Sequence, residues 1–412
     1  MDTKIQINSL RLKRDFDVLS AIGADEFGGV DRPTFSAAHL AVREWFRQRI
    51  LQDGLEFSLD GAGNHSAILR SRQAQAKTLL LGSHLDSVPH GGRYDGALGV
   101  LAALEVLRTI QEANLSLPVH LEAIDFTDEE GTLYGLLGSA ALAGLLEPEA
   151  LLAPRGGRAA LLEGLQRAGL SEEGFYQARR EPDSLAGYLE LHIEQGPCLE
   201  QAGVQIGVVT TIVRITSYRL TFLGRADHAG TTPMLDRLDA AQGACAFTLQ
   251  ARQMVLERFS SCVVNVGEMH FSPGAFNIVP GSASLALEFR APDETTFASL
   301  EASLMELAQS AAENYGLKLE REFLGRHHPT PMHETAQQAI QRAAGSSGLS
   351  WLSLPSGAGH DAQSLAQICP AGMIFVPSVE GASHSGREYT HWEDCVNGAN
   401  VLLQAALSLA AV

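Results

Sequence analysis

The segment Gly82-Ser-His84-Leu-Asp86, followed by Gly91-Gly-Arg-Tyr-Asp95-Gly96, decides the fold of this chain. It follows Thr78 to Leu81, a short and wholly apolar run of the kind that forms a buried strand. An apolar strand that stops at a polar cluster is typical of an open α/β sheet, which presents its chemistry at the carboxyl ends of its strands. The segment therefore predicts an α/β protein with a site at this strand end.

Residues in this segment are suited to hold a metal ion. His84 and Asp86 lie two positions apart, so on a continuing strand their side chains would point the same way. That spacing suits a metal-bound imidazole whose other ring nitrogen is held by a carboxylate. Asp95 follows through a glycine-rich turn, ahead of a predicted helix from Ala97 to Ile110. A strand, a loop and a solvated acidic turn would give the same pattern, so this cluster alone leaves both interpretations open.

An acidic cluster follows a second predicted strand, Val119 to Ile124. Gly131 provides a turn after the cluster, and a predicted apolar helix runs from Leu133 to Leu145. Glu129 and Glu130 in the cluster are adjacent like charges, which cannot both ionise freely in one site. A divalent metal would resolve this, because one carboxylate would be a ligand while its neighbour faced the attacking water as general base.

Two more histidines lie near predicted strand ends. His192 belongs to the strand-like stretch Tyr188 to Gly196, and His384 follows the apolar strand Met373 to Val376. The strand ends together supply more ligands than one tetrahedral zinc ion needs, whereas two metals that share Asp95 would use all of them. The predicted ligands are His84, Asp95, Glu130, His192 and His384.

In these motifs the chain resembles the amidase, hydantoinase/carbamoylase family, a branch of the co-catalytic metal aminoacylase and carboxypeptidase superfamily. Members of the family include N-carbamoyl-L-amino-acid hydrolases and allantoate amidohydrolases. The resemblance covers nearly the whole chain, and its ordered motifs specify the family far more closely than the substrate. The motifs are Gly28-Gly-Val-Asp-Arg32, Gly63-Asn64, Gly82-Ser-His-Leu-Asp-Ser-Val-Pro89, Gly91-Gly-Arg-Tyr-Asp-Gly96, Asp128-Glu-Glu-Gly131, Glu190-Leu-His-Ile-Glu-Gln-Gly-Pro197, His228-Ala-Gly-Thr-Thr-Pro-Met234, Pro273-Gly-Ala-Phe-Asn-Ile-Val-Pro-Gly281, Pro355-Ser-Gly-Ala-Gly-His-Asp-Ala362, Met373-Ile-Phe-Val-Pro-Ser378 and Ser383-His-Ser385.

The resemblance implies a dinuclear-metal hydrolase. The five predicted ligands would hold two divalent ions per subunit (Zn, Mn, Co or Ni), with Asp95 bridging them. Asp86 would orient His84, and Glu129 would be the general base. Histidine at position 192 is typical of ureido hydrolases, whereas many peptidase relatives have aspartate there. The implied reaction cleaves the ureido C–N bond of an N-carbamoyl-L-amino acid, or a related ureido acid, to amino acid, ammonia and carbon dioxide. The alternatives are an allantoate amidohydrolase and an aminoacylase or peptidase that acts on ordinary N-acyl amino acids.

The resemblance also implies substrate-binding residues. His228 from a partner subunit would hydrogen-bond the carbonyl oxygen as it becomes an oxyanion. Asn277 and Arg290 would hold the substrate carboxylate, which a guanidinium matches bidentately. From the residues alone, these three could equally be a loop residue, a turn residue and the partner of a surface acid. The further predicted contacts are Gln195, Gly359 and His360. The last two would open a helix whose free backbone donors complete an anion site.

The positions of the clusters predict two domains. Residues 1–208 and 326–412 contain every predicted ligand and would form a catalytic α/β domain, with a mostly parallel mixed sheet flanked by helices. Residues 209–325 would form an inserted two-layer α+β (ferredoxin-like) domain that acts as lid and dimerisation domain. Because this insert carries the motifs that bind across a subunit interface, the chain is expected to form a homodimer. The elements predicted in the insert are strands 217–223, 262–269, 283–290 and 318–323 and helices 236–259 and 293–315.

Composition limits the partners of the chain. Its 412 residues carry a net charge of −18, which argues against nucleic acids and anionic membranes because no basic run could neutralise phosphates. No apolar stretch reaches transmembrane length, and the first residues lack the apolar core of a signal peptide. The five scattered cysteines fit a reducing cytoplasm and exclude a cysteine-only zinc site. A cytoplasmic enzyme with a small ureido acid as substrate is expected.

Two segments depart from the family pattern. Relatives commonly carry a Gly-Gln-x-Arg type segment at the start of the insert, but Val213 to Tyr218 places Thr216 and Ser217 where allantoate-specific members tend to have arginine. Allantoate has two ureido arms and would profit from that donor, so its absence favours an N-carbamoyl-L-amino acid or another N-carbamoyl acid. In the loop of a predicted ligand, His384-Ser-Gly386-Arg387 replaces the more usual His-Ser-Pro.

Overall fold

A computed structural model of the chain describes residues 5–73 and 75–411. It confirms the predicted α/β class, with a mostly parallel central sheet flanked by helices and a separate antiparallel sheet. The strands are β1 (Glu56–Leu59), β2 (His65–Leu69), β3 (Thr78–His84), β4 (His120–Phe126), β5 (Leu185–Ile193), β6 (Ile206–Ile212), β7 (Arg214–Leu223), β8 (Asp227–His228), β9 (Val263–Ser272), β10 (Ile278–Val279), β11 (Ser282–Ala291), β12 (Lys318–His327), β13 (Thr330–Pro331), β14 (Trp351–Ser356) and β15 (Ala371–Val376). The α-helices are α1 (Ser9–Ala21), α2 (Ala37–Gln52), α3 (Ala97–Glu112), α4 (Leu137–Ala143), α5 (Arg158–Ala168), α6 (Glu172–Gln177), α7 (Cys198–Ala202), α8 (Ala240–Arg258), α9 (Glu294–Asn314), α10 (Glu334–Ser346), α11 (Ala362–Leu365) and α12 (Trp392–Ala410).

The chain divides into two compact units, one of residues up to 210 together with those from 331 onward, and one of residues 211–330. The first unit is built on a nine-stranded sheet in the order β1-β2-β4-β3-β5-β15-β6-β13, with β14 also paired to β6. Its four central strands β4, β3, β5 and β15 are parallel, so their carboxyl ends meet at one edge. Helices α3, α10 and α12 bury apolar faces against this sheet. The edge of the central strands is thus where this fold gathers polar residues.

The second unit is a two-layer structure of helices on an antiparallel sheet. Its chain order is β7-α8-β9-β11-α9-β12, with the short pair β8 and β10 in addition, and its sheet order is β12-β7-β11-β9. Along β11 buried and partly exposed residues alternate, as expected where one sheet face is covered by helices. The core beneath α8 and α9 includes Phe247, Phe289, Phe297 and Leu304.

Helix α4 is shorter than the helix predicted from Leu133 to Leu145, since it spans only Leu137–Ala143. The carboxylate of Asp128 accepts hydrogen bonds from the backbone amides of residues 133–135. These amides are therefore held in a loop, and Leu136 before the helix has a left-handed φ of 54°. The prediction was wrong at this end because apolar periodicity does not reveal a side chain that competes for backbone donors.

Two further features concern the whole described chain. All five cysteines are free thiols. Within residues 5–73 and 75–411, no helix combines the length and the apolar character that crossing a membrane requires.

Close packing of α3 on the sheet predicts that Gly99→Ala lowers the free energy of unfolding. Alanine normally favours a helix over glycine by about 1 kcal/mol. Here a Cβ would lie 2.4 Å from the carbonyl oxygen of Leu191 and 2.8 Å from the Cβ of Ser83, so α3 would have to move outward. We expect a loss of about 1–3 kcal/mol, the usual cost of overpacking, measured by urea unfolding.

The matched control is Gly345→Ala in α10. Nothing lies within 4 Å of the Cβ position at Gly345, so this substitution should raise the free energy of unfolding by about 0.5–1 kcal/mol. If Gly99→Ala stabilised the protein as much as the control does, the close approach of α3 to the sheet would be refuted.

Candidate active site

The parallel strands of the first unit end at the predicted site residues. His84 is the last residue of β3, His192 lies one residue before the end of β5, and Phe375 of β15 pairs with His192. Loops that follow β3, β4 and β15 supply the others. The structure brings all five predicted ligands into two groups, His84 with Asp95 and His192, and Asp95 with Glu130 and His384.

The first group is buried. The Oδ1 atom of Asp95 lies 3.4 Å from Nε2 of His84 and 3.1 Å from Nε2 of His192. One ligand atom from each of these residues lies within 4.8 Å of the other two. Three ligand atoms at such separations fit around a single cation.

The second group uses the other oxygen of the same carboxylate. The Nε2 atom of His384 lies 3.5 Å from Oδ2 of Asp95 and 3.5 Å from Oε2 of Glu130. The side chain of His384 is half exposed, whereas those of Asp95 and Glu130 are almost fully buried. Asp95 therefore offers one oxygen to each group, which is the geometry of a bridging ligand.

Backbone carbonyls orient both buried imidazoles. The Nδ1 atom of His84 lies 3.1 Å from the carbonyl oxygen of Asp86, and Nδ1 of His192 lies 2.8 Å from the carbonyl oxygen of Ile193. Because a carbonyl oxygen can only accept, each Nδ1 carries a proton, and in the neutral imidazole the lone pair is then on Nε2, the atom that faces Asp95.

The carboxylate of Asp86 acts on the acidic loop. It lies 3.6 Å from Nδ1 of His84, beyond a good hydrogen bond. It instead accepts hydrogen bonds from the hydroxyl of Thr34 at 3.0 Å and from the amides of Glu129 at 3.3 Å and Glu130 at 3.2 Å. Asp86 thus positions His84 through its backbone and the two glutamates through its side chain.

Glu129 lies beside the two ligand groups but belongs to neither. Its side chain is buried, with only 9% of its surface exposed. Its Oε2 atom lies 3.5 Å from Nε2 of His84. Burial raises the pKa of Glu129 well above its usual range; His84 opposes this shift and the charge of Glu130 adds to it. Glu129 is thus a buried carboxyl group beside the ligand groups with an increased affinity for a proton.

The electrostatics of the cluster fit divalent cations. Burial opposes ionisation of Asp95, but the surrounding histidines, led by His192, hold its pKa well below the usual range. Burial and the charge of Asp95 together raise the pKa of Glu130 to about 7. Crowded carboxylates in a poorly solvated site are stabilised by a cation between them. The mixed imidazole and carboxylate donors suit Zn, Mn, Co or Ni.

Gln195 lies at this centre. Its Nε2 atom donates to Oδ2 of Asp95 at 2.7 Å, and its Oε1 atom is buried without a hydrogen-bond partner. The residue has a left-handed φ of 56°. Its amide group is therefore next to the shared carboxylate.

The helix predicted to open at Gly359 and His360 begins later, since α11 starts at Ala362. The amide of Ala362 donates to Oε2 of Glu190 at 3.0 Å, so this donor at the helix start is already occupied. His360 itself is buried, and its ring centroid lies 4.5 Å from that of His192. Burial, followed by the charge of His192, holds the pKa of His360 well below its usual range.

The three predicted residues of the second unit are only partly brought together. Strand β8 pairs with β10, so that His228 lies opposite Ile278, and the amide of Ala229 donates to the carbonyl oxygen of Asn277 at 3.0 Å. Arg290 lies near the far end of β11, about 25 Å along the strand from its start at the usual rise per residue. Its guanidinium donates to Oε1 of Glu288 at 2.6 Å. Within one chain, His228 therefore lies beside Asn277 at the β8–β10 pair. Arg290 lies far from both, near the other end of β11.

The glycine at position 386, where the family usually has proline, is explained by packing. A Cβ at Gly386 would lie 2.2 Å from the carbonyl oxygen of Phe27 and 3.1 Å from the amide nitrogen of Gly29. Proline also has a Cβ, so neither it nor any other residue fits while this loop packs against residues 27–29.

Glu388 also belongs to the site, although no sequence motif predicted it. Its buried carboxylate accepts hydrogen bonds from the amides of Tyr94 at 2.8 Å and Asp95 at 3.1 Å and from the hydroxyl of Ser383 at 2.8 Å. Burial and the charge of Asp95 raise its pKa to about 7. The available signal was the glycine pair before Asp95, since glycine often marks a close approach of other groups to the backbone.

Known proteins resemble this chain over nearly its whole length. The sequence profile of Peptidase family M20/M25/M40 matches residues 80–408. The N-carbamoyl-L-amino acid amidohydrolase of Geobacillus stearothermophilus is 37% identical over 406 residues, which cover 98% of this chain and 99% of that protein. The ureidoglycolate hydrolase of Oryza sativa subsp. japonica is 32% identical over 98% of this chain and 85% of its own length. A crystal structure of an amidase of the hydantoinase/carbamoylase family from Burkholderia multivorans has a TM-score of 0.88 and 34% identity, with 99% of each chain covered.

Asp95 contributes to both ligand groups, so Asp95→Asn should weaken cation binding at both. Glu130→Gln should weaken it at one. We expect the bound Mn²⁺, measured by equilibrium dialysis, to fall from about two ions per chain to fewer than one in the first variant and to about one in the second. Asp183→Asn, at an exposed position, is the control for the lost charge. Equal losses in the Asp95 and Glu130 variants would contradict a shared carboxylate.

Proposed function

The chain belongs to Peptidase family M20/M25/M40, and from this premise we propose that it cleaves the ureido C–N bond of an N-carbamoyl-L-amino acid. The products are the amino acid, ammonia and carbon dioxide. The observation that carries this proposal is a carboxylate, Glu129, beside two ligand groups that share Asp95. Relatives named as N-carbamoyl-L-amino acid amidohydrolases, alike over nearly the full length, support the ureido bond as the target.

Two divalent cations would be held by the ligand groups, one by His84, Asp95 and His192 and one by Asp95, Glu130 and His384. When bound, such cations polarise a carbonyl group and acidify water. Glu129 takes the proton from the attacking water and later delivers it to the departing nitrogen. Asp86 supports this role, because its side chain holds the amide of Glu129.

The substrate carboxylate and the oxyanion need donors that the acidic centre does not offer. We assign the oxyanion to His228 and the carboxylate to Asn277 and Arg290, with Gln195, Gly359 and His360 as further contacts. A guanidinium matches a carboxylate with two parallel hydrogen bonds. To reach the substrate, Arg290 must exchange its present contact with Glu288 for the substrate.

These assignments require a homodimer. Arg290 lies about 25 Å along β11 from the end of the sheet where His228 and Asn277 meet. A small ureido acid cannot span that distance, so one substrate would take Arg290 from one subunit and His228 with Asn277 from the other. Residues 211–330 thus act as the lid and dimerisation domain, and closure of the lid excludes water from the reaction. The free thiols of all five cysteines fit a cytoplasmic location.

A substrate panel tests the proposed reaction. N-carbamoyl-L- and D-amino acids, allantoate, ureidoglycolate, 3-ureidopropionate and N-acetyl-L-amino acids are compared by kcat/KM. We expect the N-carbamoyl-L-amino acids to give the highest values. Glu129→Gln should reduce their turnover by about 10²–10⁴-fold, the usual contribution of a general base. If ureidoglycolate or allantoate gave the highest kcat/KM, the chain would be a hydrolase of that compound instead. Turnover of N-acetyl amino acids alone would refute a ureido hydrolase.

Mixed dimers test the role of His228. Glu129→Gln and His228→Ala homodimers should each have little activity, because every site lacks one group. When the two variants are dissociated, mixed in equal amounts and reassociated, half of the dimers contain one intact site if His228 acts on the partner's centre. Activity should therefore recover to about a quarter of that of the unmodified protein. A mixture no more active than its parents would exclude catalysis across the dimer.

A further inference from the structure

Glu388 joins two loops that carry cation ligands. Its Oε1 atom accepts the backbone amides of Tyr94 and Asp95, and its Oε2 atom accepts the hydroxyl of Ser383, the residue before His384. The side chain is buried, so water does not compete for these hydrogen bonds. One carboxylate thus fixes the backbone of Asp95 and the loop of His384 relative to each other.

The turn before Asp95 is shaped to receive this carboxylate. A Cβ at Gly92 would lie 1.8 Å from Cδ of Glu388 and within 2.0 Å of both its carboxylate oxygens. The backbone of Gly92 is not in the left-handed region, so its conformation alone would permit alanine. The requirement for glycine at this position therefore comes from Glu388.

Ser383 connects Glu388 to the shared carboxylate. Its hydroxyl lies 2.8 Å from Oε2 of Glu388 and 3.1 Å from Oδ2 of Asp95. A hydroxyl has one proton and can donate to only one of these oxygens. While Glu388 accepts that proton, Ser383 does not add a second donor to the hydrogen bond that Gln195 already makes to Oδ2 of Asp95.

We infer that Glu388 is a positioning residue for the cation group of Asp95, Glu130 and His384. It sets the separation between Asp95 and His384 and directs the proton of the Ser383 hydroxyl towards itself instead of towards Oδ2 of Asp95. This inference rests on the proposed metal-dependent hydrolysis and adds a residue that touches neither the cations nor the substrate. Residues that orient metal ligands in this way typically contribute 10–100-fold to metal affinity.

The test is a titration of the chelator-treated protein with Mn²⁺ alone, without substrate, in parallel with thermal unfolding. Glu388→Gln keeps the size of the side chain, and its single oxygen can still accept the two amides. Its NH₂ group cannot accept from Ser383, whose hydroxyl must then donate to Asp95. We expect Mn²⁺ to bind about 10–100-fold more weakly at one of the two sites, with the melting temperature nearly unchanged. Glu388→Ala, which releases both loops, should bind still more weakly.

Glu393→Gln is the control, because Glu393 is exposed in the first turn of α12 and the substitution removes the same charge. Mn²⁺ affinity in both Glu388 variants within twofold of the control would overturn the inference, even if the alanine variant unfolds at a lower temperature. If the unmodified protein bound no Mn²⁺, the proposed metal centre itself would fail. The titration therefore separates the two failures.

A double-mutant cycle adds an independent check. Gly92→Ala should displace Glu388 and weaken Mn²⁺ binding to a similar extent as Glu388→Ala. In the Glu388→Ala background the new methyl group has room, so the double variant should bind Mn²⁺ as the single Glu388→Ala variant does. Losses that add fully in the double variant would mean that the two positions act separately, and the role of Glu388 would be rejected.

Discussion

The site depends on one constraint, that the buried carboxylate of Asp95 must present one oxygen to each of two ligand groups. Oδ1 faces His84 and His192, while Oδ2 faces His384. These residues come from segments that are up to 300 positions apart, so the carboxylate is in place only when the whole first unit has folded. The parallel pairing of β5 with β15 achieves this, because it brings the chain back to the same sheet edge after the second unit. The second unit can therefore be inserted between these strands without altering the edge.

Much of the fold and of the predicted ligand set can be inferred from the points in the sequence where apolar runs end at polar residues. Apolar runs before His84 and Glu130 predicted strands, and the carboxyl ends of parallel strands share one edge of a sheet. The five predicted ligands could be proposed from the sequence because each follows or belongs to such a strand end and each has a side chain that metals prefer. The structure brings them into the two groups that a shared Asp95 predicts.

The rest was hidden because it depends on side chains that bind backbone atoms. Asp128 holds three amides and delays the start of α4, and Asp86 holds two amides of the acidic loop. Glu388 does the same for the turn that carries Asp95. A single acidic residue in a loop has the same sequence pattern whether it faces solvent or caps buried amides. Only the folded backbone distinguishes these cases. The distance between Asn277 and Arg290 likewise depends on how the strands of the second unit are arranged, which the sequence pattern does not give.

Charge is the reason for assigning the substrate carboxylate, in the proposed reaction, to residues outside the acidic cluster. Asp86, Asp95, Glu129, Glu130 and Glu388 crowd one edge of the sheet, and burial is the largest influence on the raised pKa values of the three glutamates. A substrate with its own carboxylate would be repelled there unless cations offset these charges. In the proposed reaction such cations would act at the carbonyl group and not at the distant carboxylate. The proposal therefore assigns that end of the substrate to a separate cationic residue, Arg290, since a positive charge beside Glu129 would lower the pKa of that carboxyl group and weaken it as a base.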